Sequence, residues 1–369
     1  MISVCSISLM LHLSAASAAL ASFDDGARYA FIASASSKSV FVIDLQERSL
    51  AHTIALTRVP SSVEVSARLK ALVIGHEANK SLTLVDLSTE DLTQIDYPLN
   101  LTPTAIEVSP VGESVAVFDK TTGRLEVHSI DRRVVLLSAD DVQTDNELTF
   151  GIDGATIYWV DDAAGTLNAI DLWSERQSIE LAEPRSGLSA MSRSIDGMTG
   201  YVSDGSGNVV HMIDLESFSL VLNIHVGNEP GRPWGTADGQ YMLVPNGGGN
   251  TMTAISTASG EAVYTVPAVD QPAFINPGWL DSTAAAVSAS GQLAFIDIDN
   301  GSVISRYQMD GAPRDGIVTS DSQTLAIPVP ESGSLVFFDM HSRKTLSSIT
   351  ELPVDIGPAA LAISNNLCH

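Results

Sequence analysis

The sequence predicts an all-β molecule, an eight-bladed β-propeller with four strands per blade. A short apolar phrase, usually ending in Asp, recurs eight times. Its spacing stays between 41 and 43 residues from one end of the chain to the other. A tight turn, most often Asp-Gly, precedes several of the phrases and opens a hairpin. Four-stranded units at this period stack radially rather than as separate domains.

The chain opens with a leader. Residues 1–21 carry no Asp, Glu, Lys or Arg, and the apolar stretch Ile7 to Leu13 runs into Ala19-Leu20-Ala21 before Ser22. This reads as a signal peptide with a small-residue cleavage site, although its first residues lack the usual positive charge. An uncleaved apolar anchor is the other reading, but the stretch is short for a span. No later segment has 18 uninterrupted apolar residues, so no transmembrane segment is expected in the mature chain.

Residues 22–369 then read as one propeller domain. Aligned on the position that is usually Asp, the phrases fall at Asp44, Asp86, Ser129, Asp171, Asp214, Ser256, Asp297 and Asp339. Each is taken as the third strand of a blade, apolar on both faces because its sheet lies between two others. The Asp ends the strand and satisfies the turn backbone. Gly260 and Gly301 sit where the following turn needs a positive φ. Second strands follow the turns Asp25-Gly26, Val111-Gly112, Asp153-Gly154, Asp196-Gly197 and Asp238-Gly239. First strands often open with Pro, as at Pro60, Pro103, Pro230 and Pro313. The N-terminal blade lacks a first strand, and Gly357 to Ser364 matches Thr102 to Ser109. The C-terminal strand is therefore expected to join the N-terminal blade and close the ring. Seven blades with one irregular repeat is the alternative.

Composition narrows the function. Lys and Arg total 19 against 44 Asp and Glu, a formal net charge of −25. Nucleic acid is excluded as a partner, because phosphate contacts need clustered basic residues. Of the two cysteines, Cys5 would leave with the leader and Cys368 would be alone, so no internal disulfide is expected.

The repeat resembles the YVTN-type β-propeller family. Its best copy spans His211 to Ser256 and includes MIDLESFSLVLNIHVGNEPGRPWGTADGQYMLVPNGGGNTMTAIS. The likeness extends over essentially residues 23–366 and implies the fold far more than a function. Gly227-Asn228-Glu229-Pro230-Gly231-Arg232 is similar to the Pro-His-Pro-Gly-Arg segment of haem d1-containing nitrite reductases. Glu229 replaces the family's His, which removes the proton donor that nitrite reduction implies. No Cys-x-x-Cys-His is present to attach a c-type haem.

Candidate site residues come from the loops that enter the innermost strands. Arg58, Arg185, Arg232 and Arg314 lie there, in a chain poor in basic residues. Arg suits bidentate contacts with carboxylate or phosphate, so an anionic ligand at the channel mouth is expected. Pairing of each Arg with a local acid, such as Asp315 or Glu229, is the competing reading. Trp234 and Trp279 are read on innermost strands, where they would stack a planar ligand or fill the wedge between blades. The mature chain's histidines form no His-x-His or His-x₃-His pair, and no Asp-x-Asp-x-Asp-Gly loop appears, so a metal site is left unassigned. Gly247-Gly248-Gly249 lacks the context of a phosphate loop and falls in the hairpin between second and third strands.

These readings combine into an exported propeller, periplasmic or secreted. It is expected to be non-catalytic and to bind a small anionic cofactor, a metal complex or a partner protein at the channel mouth. The expected ligand-binding set is Arg58, Arg185, Glu229, Arg232, Trp234, Arg314 and Asp315. An oxidoreductase or cofactor-biosynthesis propeller using a haem-like or quinone cofactor is the second reading. A cell-surface scaffold is the third.

Overall fold

The computed structural model describes residues 23, 25, 27–352 and 361–363. Eight antiparallel sheets of four strands form the ring. Blade 1 takes its second to fourth strands from Tyr29–Ser34, Ser39–Asp44 and Ser49–Ala55. Its innermost strand is Leu361–Ile363. Those last residues pair with the first strand of the chain, Ala30 opposite Ile363 and Ile32 opposite Leu361. Eight blades are present, not seven, and closure occurs at the expected strand. Residues 1–21, read above as a leader, together with Gly26 and the remainder of the C-terminal segment, lie outside the described residues.

The third strands begin and end where the repeat alignment places them. They run Ser39–Asp44, Ser81–Asp86, Arg124–Ser129, Thr166–Asp171, Val209–Asp214, Thr251–Ser256, Gln292–Asp297 and Ser334–Asp339. The terminal Asp caps the turn that follows. Asp44 Oδ1 accepts from the backbone N–H groups of Gln46 and Glu47, both at 3.0 Å. Asp339 does the same for His341 and Ser342 at 2.9 and 2.7 Å. Gly260 and Gly301 have φ of 67° and 71°, as those turns require.

The core is divided rather than single. Each gap between neighbouring blades holds its own hydrophobic cluster. Val40 and Val42 of blade 1 pack with Val63, Val65 and Leu72 of blade 2. Ile317, Ala326 and Phe337 of blade 8 close on Ile32, Phe41 and Ile43 of blade 1. Every third strand therefore buries both faces, which is why its sequence does not alternate. The outermost strands are largely exposed, and in Val303–Gln308 exposure alternates because one side of each residue pair meets solvent.

Candidate functional site

The first strands line the central channel, and their pairing register identifies which side chains share a level. In seven blades the residue opposite the third position of the second strand is Glu64, Glu107, Thr149, Ser192, Trp234, Asn276 and Ile317 in turn. Strand period places the residue two positions earlier on the same side. There stand Glu147, Arg232 and Asp315, closer to the loops that enter the blades. Two adjacent rungs of the channel thus carry four carboxyl groups and a guanidinium. Arg193 follows Ser192 on the opposite side of its strand, yet lies close enough to Glu107 and Arg232 to act on them.

Arg232 joins this wall together. Its Nη1 lies 2.6 Å from Glu147 Oε2, two blades away. Its Nε donates to Ser192 Oγ at 3.2 Å, and that hydroxyl donates to Pro233 O at 2.5 Å. The guanidinium also sits 5.2 Å from the centroid of the Trp234 ring. Trp234 itself packs against the cluster between blades 6 and 7. The residue that could stack a ligand therefore also fills the wedge between blades.

Glu64 and Glu107 keep partial exposure to the lumen while protein surrounds them. Burial, with the neighbouring charge of Glu147, pushes Glu107 up to about 8, and Arg232 and Arg193 oppose that rise. Glu64 is held well above the usual carboxylate range by burial and by Glu107 and Glu147. Burial raises Asp315 to about 7 against the pull of Arg232, the Gly316 N–H and Asn276. Desolvation lowers Arg193, and Glu107 counters it. These groups act on one another across the channel, so they form one electrostatic unit.

A cavity of about 500 Å³ opens at this mouth beside blades 2 to 4. Glu64, Glu77, Glu107, Asp145 and Glu147 line it, with Lys120 as the basic residue. Lys120 is paired with Asp145 at 2.5 Å. The volume is in the range of small-molecule sites.

The structure brings together Arg232, Trp234 and Asp315 of the expected set. Arg58 turns toward Asp96 on the outermost strand of blade 2, at 2.5 Å. Arg185 and Glu229 are exposed loop residues in the left-handed region, with φ of 60° and 49°. Their backbone N–H groups bond to Asp162 O and Asn208 Oδ1 respectively. Arg314 is exposed, with its N–H on Pro328 O. Trp279 lies one residue past its first strand and packs on the His341 ring, centroids 4.1 Å apart. The Gly247–Gly249 turn spends two of its N–H groups on Glu229 O and Asn228 O. No group of three or more His, Cys, Asp or Glu among the described residues is arranged to hold a metal ion.

Glu64, Glu107, Glu147, Arg193 and Asn276 were not singled out from the sequence. A signal was present for two of them. Ser62-Val-Glu-Val-Ser66 and Ala105-Ile-Glu-Val108 each put a carboxylate between apolar residues, 43 positions apart, where other blades carry Trp234 or Ile317.

No protein-family model and no curated protein matches the chain. The YVTN-type likeness therefore rests on the repeat residues quoted above. Solved structures do match. Dihydro-haem d1 dehydrogenase NirN, in complex with DHE, superposes with a TM-score of 0.71 at 15% identity, covering 93% of this chain and 76% of that one. Apo AztD from Citrobacter koseri gives 0.64 at 14% identity, covering 90% and 96%. BamB from Moraxella catarrhalis gives 0.58 at 15%, covering 81% and 92%. The class that fold and channel define is a β-propeller with a charged central channel. Among the described residues no helix is long and apolar enough to cross a membrane.

Proposed function

We propose that the chain is an exported, non-catalytic binding propeller that holds a small ligand in its central channel. One observation carries this reading: charged side chains from blades 2, 3, 4, 5, 6 and 8 converge on the lumen beside a cavity of about 500 Å³. Buried charge is costly unless it is paired or used, and structural ion pairs do not need an open cavity. The reading of residues 1–21, which carry no Asp, Glu, Lys or Arg, as a signal peptide supports export. NirN, alike in fold, is described as a complex with a small molecule. The arginines expected to hold an anion are dispersed, whereas carboxylates dominate the cavity, so the charge of the site favours a ligand carrying positive charge.

The test is to isolate the protein from the periplasm of its own host. A native mass spectrum, a visible spectrum and a metal analysis are taken together. A stoichiometric adduct present in the wild type and lost in Arg232→Ala and Glu107→Gln supports channel binding. An adduct that survives both substitutions places the ligand elsewhere and overturns the reading.

A further inference from the structure

The first and third strands of an antiparallel blade run the same way. The turns that follow them therefore share one face of the ring, opposite the channel mouth. On blades 3 to 5 these turns expose an apolar ridge. Val111, Ile152, Ile195 and Met198 are 39 to 52% exposed. They are not scattered. Val111 lies against Gly154, Ile152 against Gly197 and Ile195 against Gly239, so each reaches the turn of the next blade. Trp173, in the outer turn of blade 4, is 83% exposed. With Val111 and Leu172 it walls a cavity of about 380 Å³ at the end of the ridge, which Asp131, Arg132 and Asp153 also line. Single exposed apolar residues are ordinary, whereas a contiguous set marks a surface that another molecule covers.

Blade 7 extends the arc beyond blade 6. Its turn holds Trp279, Leu280 and Asp281 in the left-handed region, with φ of 48°, 53° and 59°. The Asp281 carboxylate accepts from the N–H groups of Ala237 and Asp238 in the blade 6 turn, both at 2.8 Å. Leu280 is left 78% exposed between them. Three consecutive non-glycine residues in this region cost stability, and strain of that kind gathers at functional surfaces.

Charge identifies the occupant. On this face the turns of blades 4 to 6 are residues 151–156, 171–177, 194–199, 214–219, 236–241 and 256–261. They hold eight acidic residues and one basic residue, Arg176. Arg176 is engaged elsewhere. Its guanidinium lies 4.7 Å from the Trp159 ring centroid and donates to Asp141 O and Asn168 Oδ1. The turns of blade 3 balance Glu113 and Asp131 with two arginines. Asp153 and Asp196 are exposed directly beside Ile152 and Ile195. A second copy of the chain would set this acidic face against its like, and a lipid surface would draw carboxylates toward a medium of low dielectric.

We propose that this face docks a basic amphipathic segment of a partner protein. Apolar side chains of that segment cover the ridge, one of them entering the cavity beside Trp173, and its Lys or Arg side chains meet the flanking carboxylates. The site lies on the face opposite the channel mouth and does not depend on the channel ligand.

The probe is a peptide made of two copies of Leu-Lys-Lys-Leu-Leu-Lys-Leu, titrated calorimetrically into the full chain. One control peptide has Ser for every Leu, and another has Glu for every Lys. Expected is saturable binding of the Leu-Lys peptide, at least about tenfold tighter than either control. Tryptophan emission should move to shorter wavelength as Trp173 leaves water. Trp173→Ser should abolish most of that shift and weaken the peptide at least about tenfold. Met198→Ser should weaken it as well. Both side chains stand largely in water, so circular dichroism should not change. Equal affinity in the wild type and both variants overturns the proposal, because the peptide then binds elsewhere. Equal affinity for the Leu-Lys and Ser-Lys peptides overturns it too, because charge alone then suffices, and so does the absence of peptide binding. Self-association that Trp173→Ser abolishes, seen by sedimentation velocity, assigns the face to a second copy. Flotation with phosphatidylcholine vesicles that Trp173→Ser abolishes assigns it to a lipid surface. Either result overturns the basic partner. The channel reading stands or falls separately, on the adduct experiment above.

Discussion

Glu107 shows how one side chain can cost stability in order to equip a site. Its carboxyl is raised to about 8 from an ordinary 4.5 by burial and by Glu147. Below 4.5 the group is protonated in both the folded and unfolded chain, and it carries no penalty. Between those two values the unfolded chain has released its proton while the folded one retains it. Stability contributed here is therefore lost as pH rises, and the full penalty stands above about 8. Asp315 adds the same trend over its own interval, from 3.8 to about 7. Glu107→Gln should accordingly unfold at higher urea than the wild type at alkaline pH. The gap should shrink on acidification and vanish below 4.5. Urea midpoints measured across that range check it, and identical midpoints at alkaline pH refute the assignment of Glu107 as a strained group. The Val-Glu-Val and Ile-Glu-Val patterns mark Glu64 and Glu107, two of the four channel carboxylates, as departures from the repeat, although neither was singled out from the sequence. Their mutual influence was not legible, because it depends on how closely the inner strands of two neighbouring blades approach at that level.

Within the elements, the Asp-Gly turns do more than reverse the chain. Gly154, Gly197 and Gly239 have φ of 66°, 71° and 71°. Each donates its N–H to the carbonyl three residues earlier, at 2.9 to 3.0 Å. That left-handed requirement is local, so sequence reveals it. The neighbouring blade imposes a second requirement. A Cβ on Gly197 would lie 2.5 Å from Cγ2 of Ile152, and one on Gly154 would lie 2.5 Å from Cγ2 of Val111. The turn of one blade thus docks its apolar side chain into the glycine of the next. Gly197→Ala should destabilise by about 1–2 kcal/mol for the left-handed backbone, with overpacking of about 1–3 kcal/mol added. Placing the same substitution in an Ile152→Ala background should recover the overpacking part. A double-mutant cycle in urea measures it, and strict additivity would show that the contact between blades carries no energy.

At the level of the whole molecule, closure decides the behaviour of the edges. The strand Tyr29–Ser34 pairs on one side with Ser39–Asp44 and on the other with Leu361–Ile363. Without the last strand it would present a buried apolar face and a row of unsatisfied backbone groups. A chain ended at Leu352 is therefore expected to unfold at lower urea and to self-associate as concentration rises. Sedimentation velocity and urea titration test this together. A monomer with an unchanged midpoint would mean that the ring does not depend on its C-terminal strand. Ring geometry also sorts the candidate residues. Arg232 and Asp315 face the lumen because they stand two residues before a first-strand rung. Arg58 belongs to the same family of loops but leans outward to Asp96.

The sequence by itself determined the blade count, the third-strand boundaries, the capping Asp and the closing strand. All of these follow from periodicity, turn chemistry and burial of both faces, which are encoded within about 42 residues and repeated. Only the tertiary structure decided which charged residues share the channel. Glu147 meets Arg232 across a separation of 85 residues, a contact that no local pattern specifies. Inter-blade packing is repeated and therefore readable, whereas the channel is built from the positions where the repeat departs from itself. Those departures acquire a chemistry only once the ring brings them face to face.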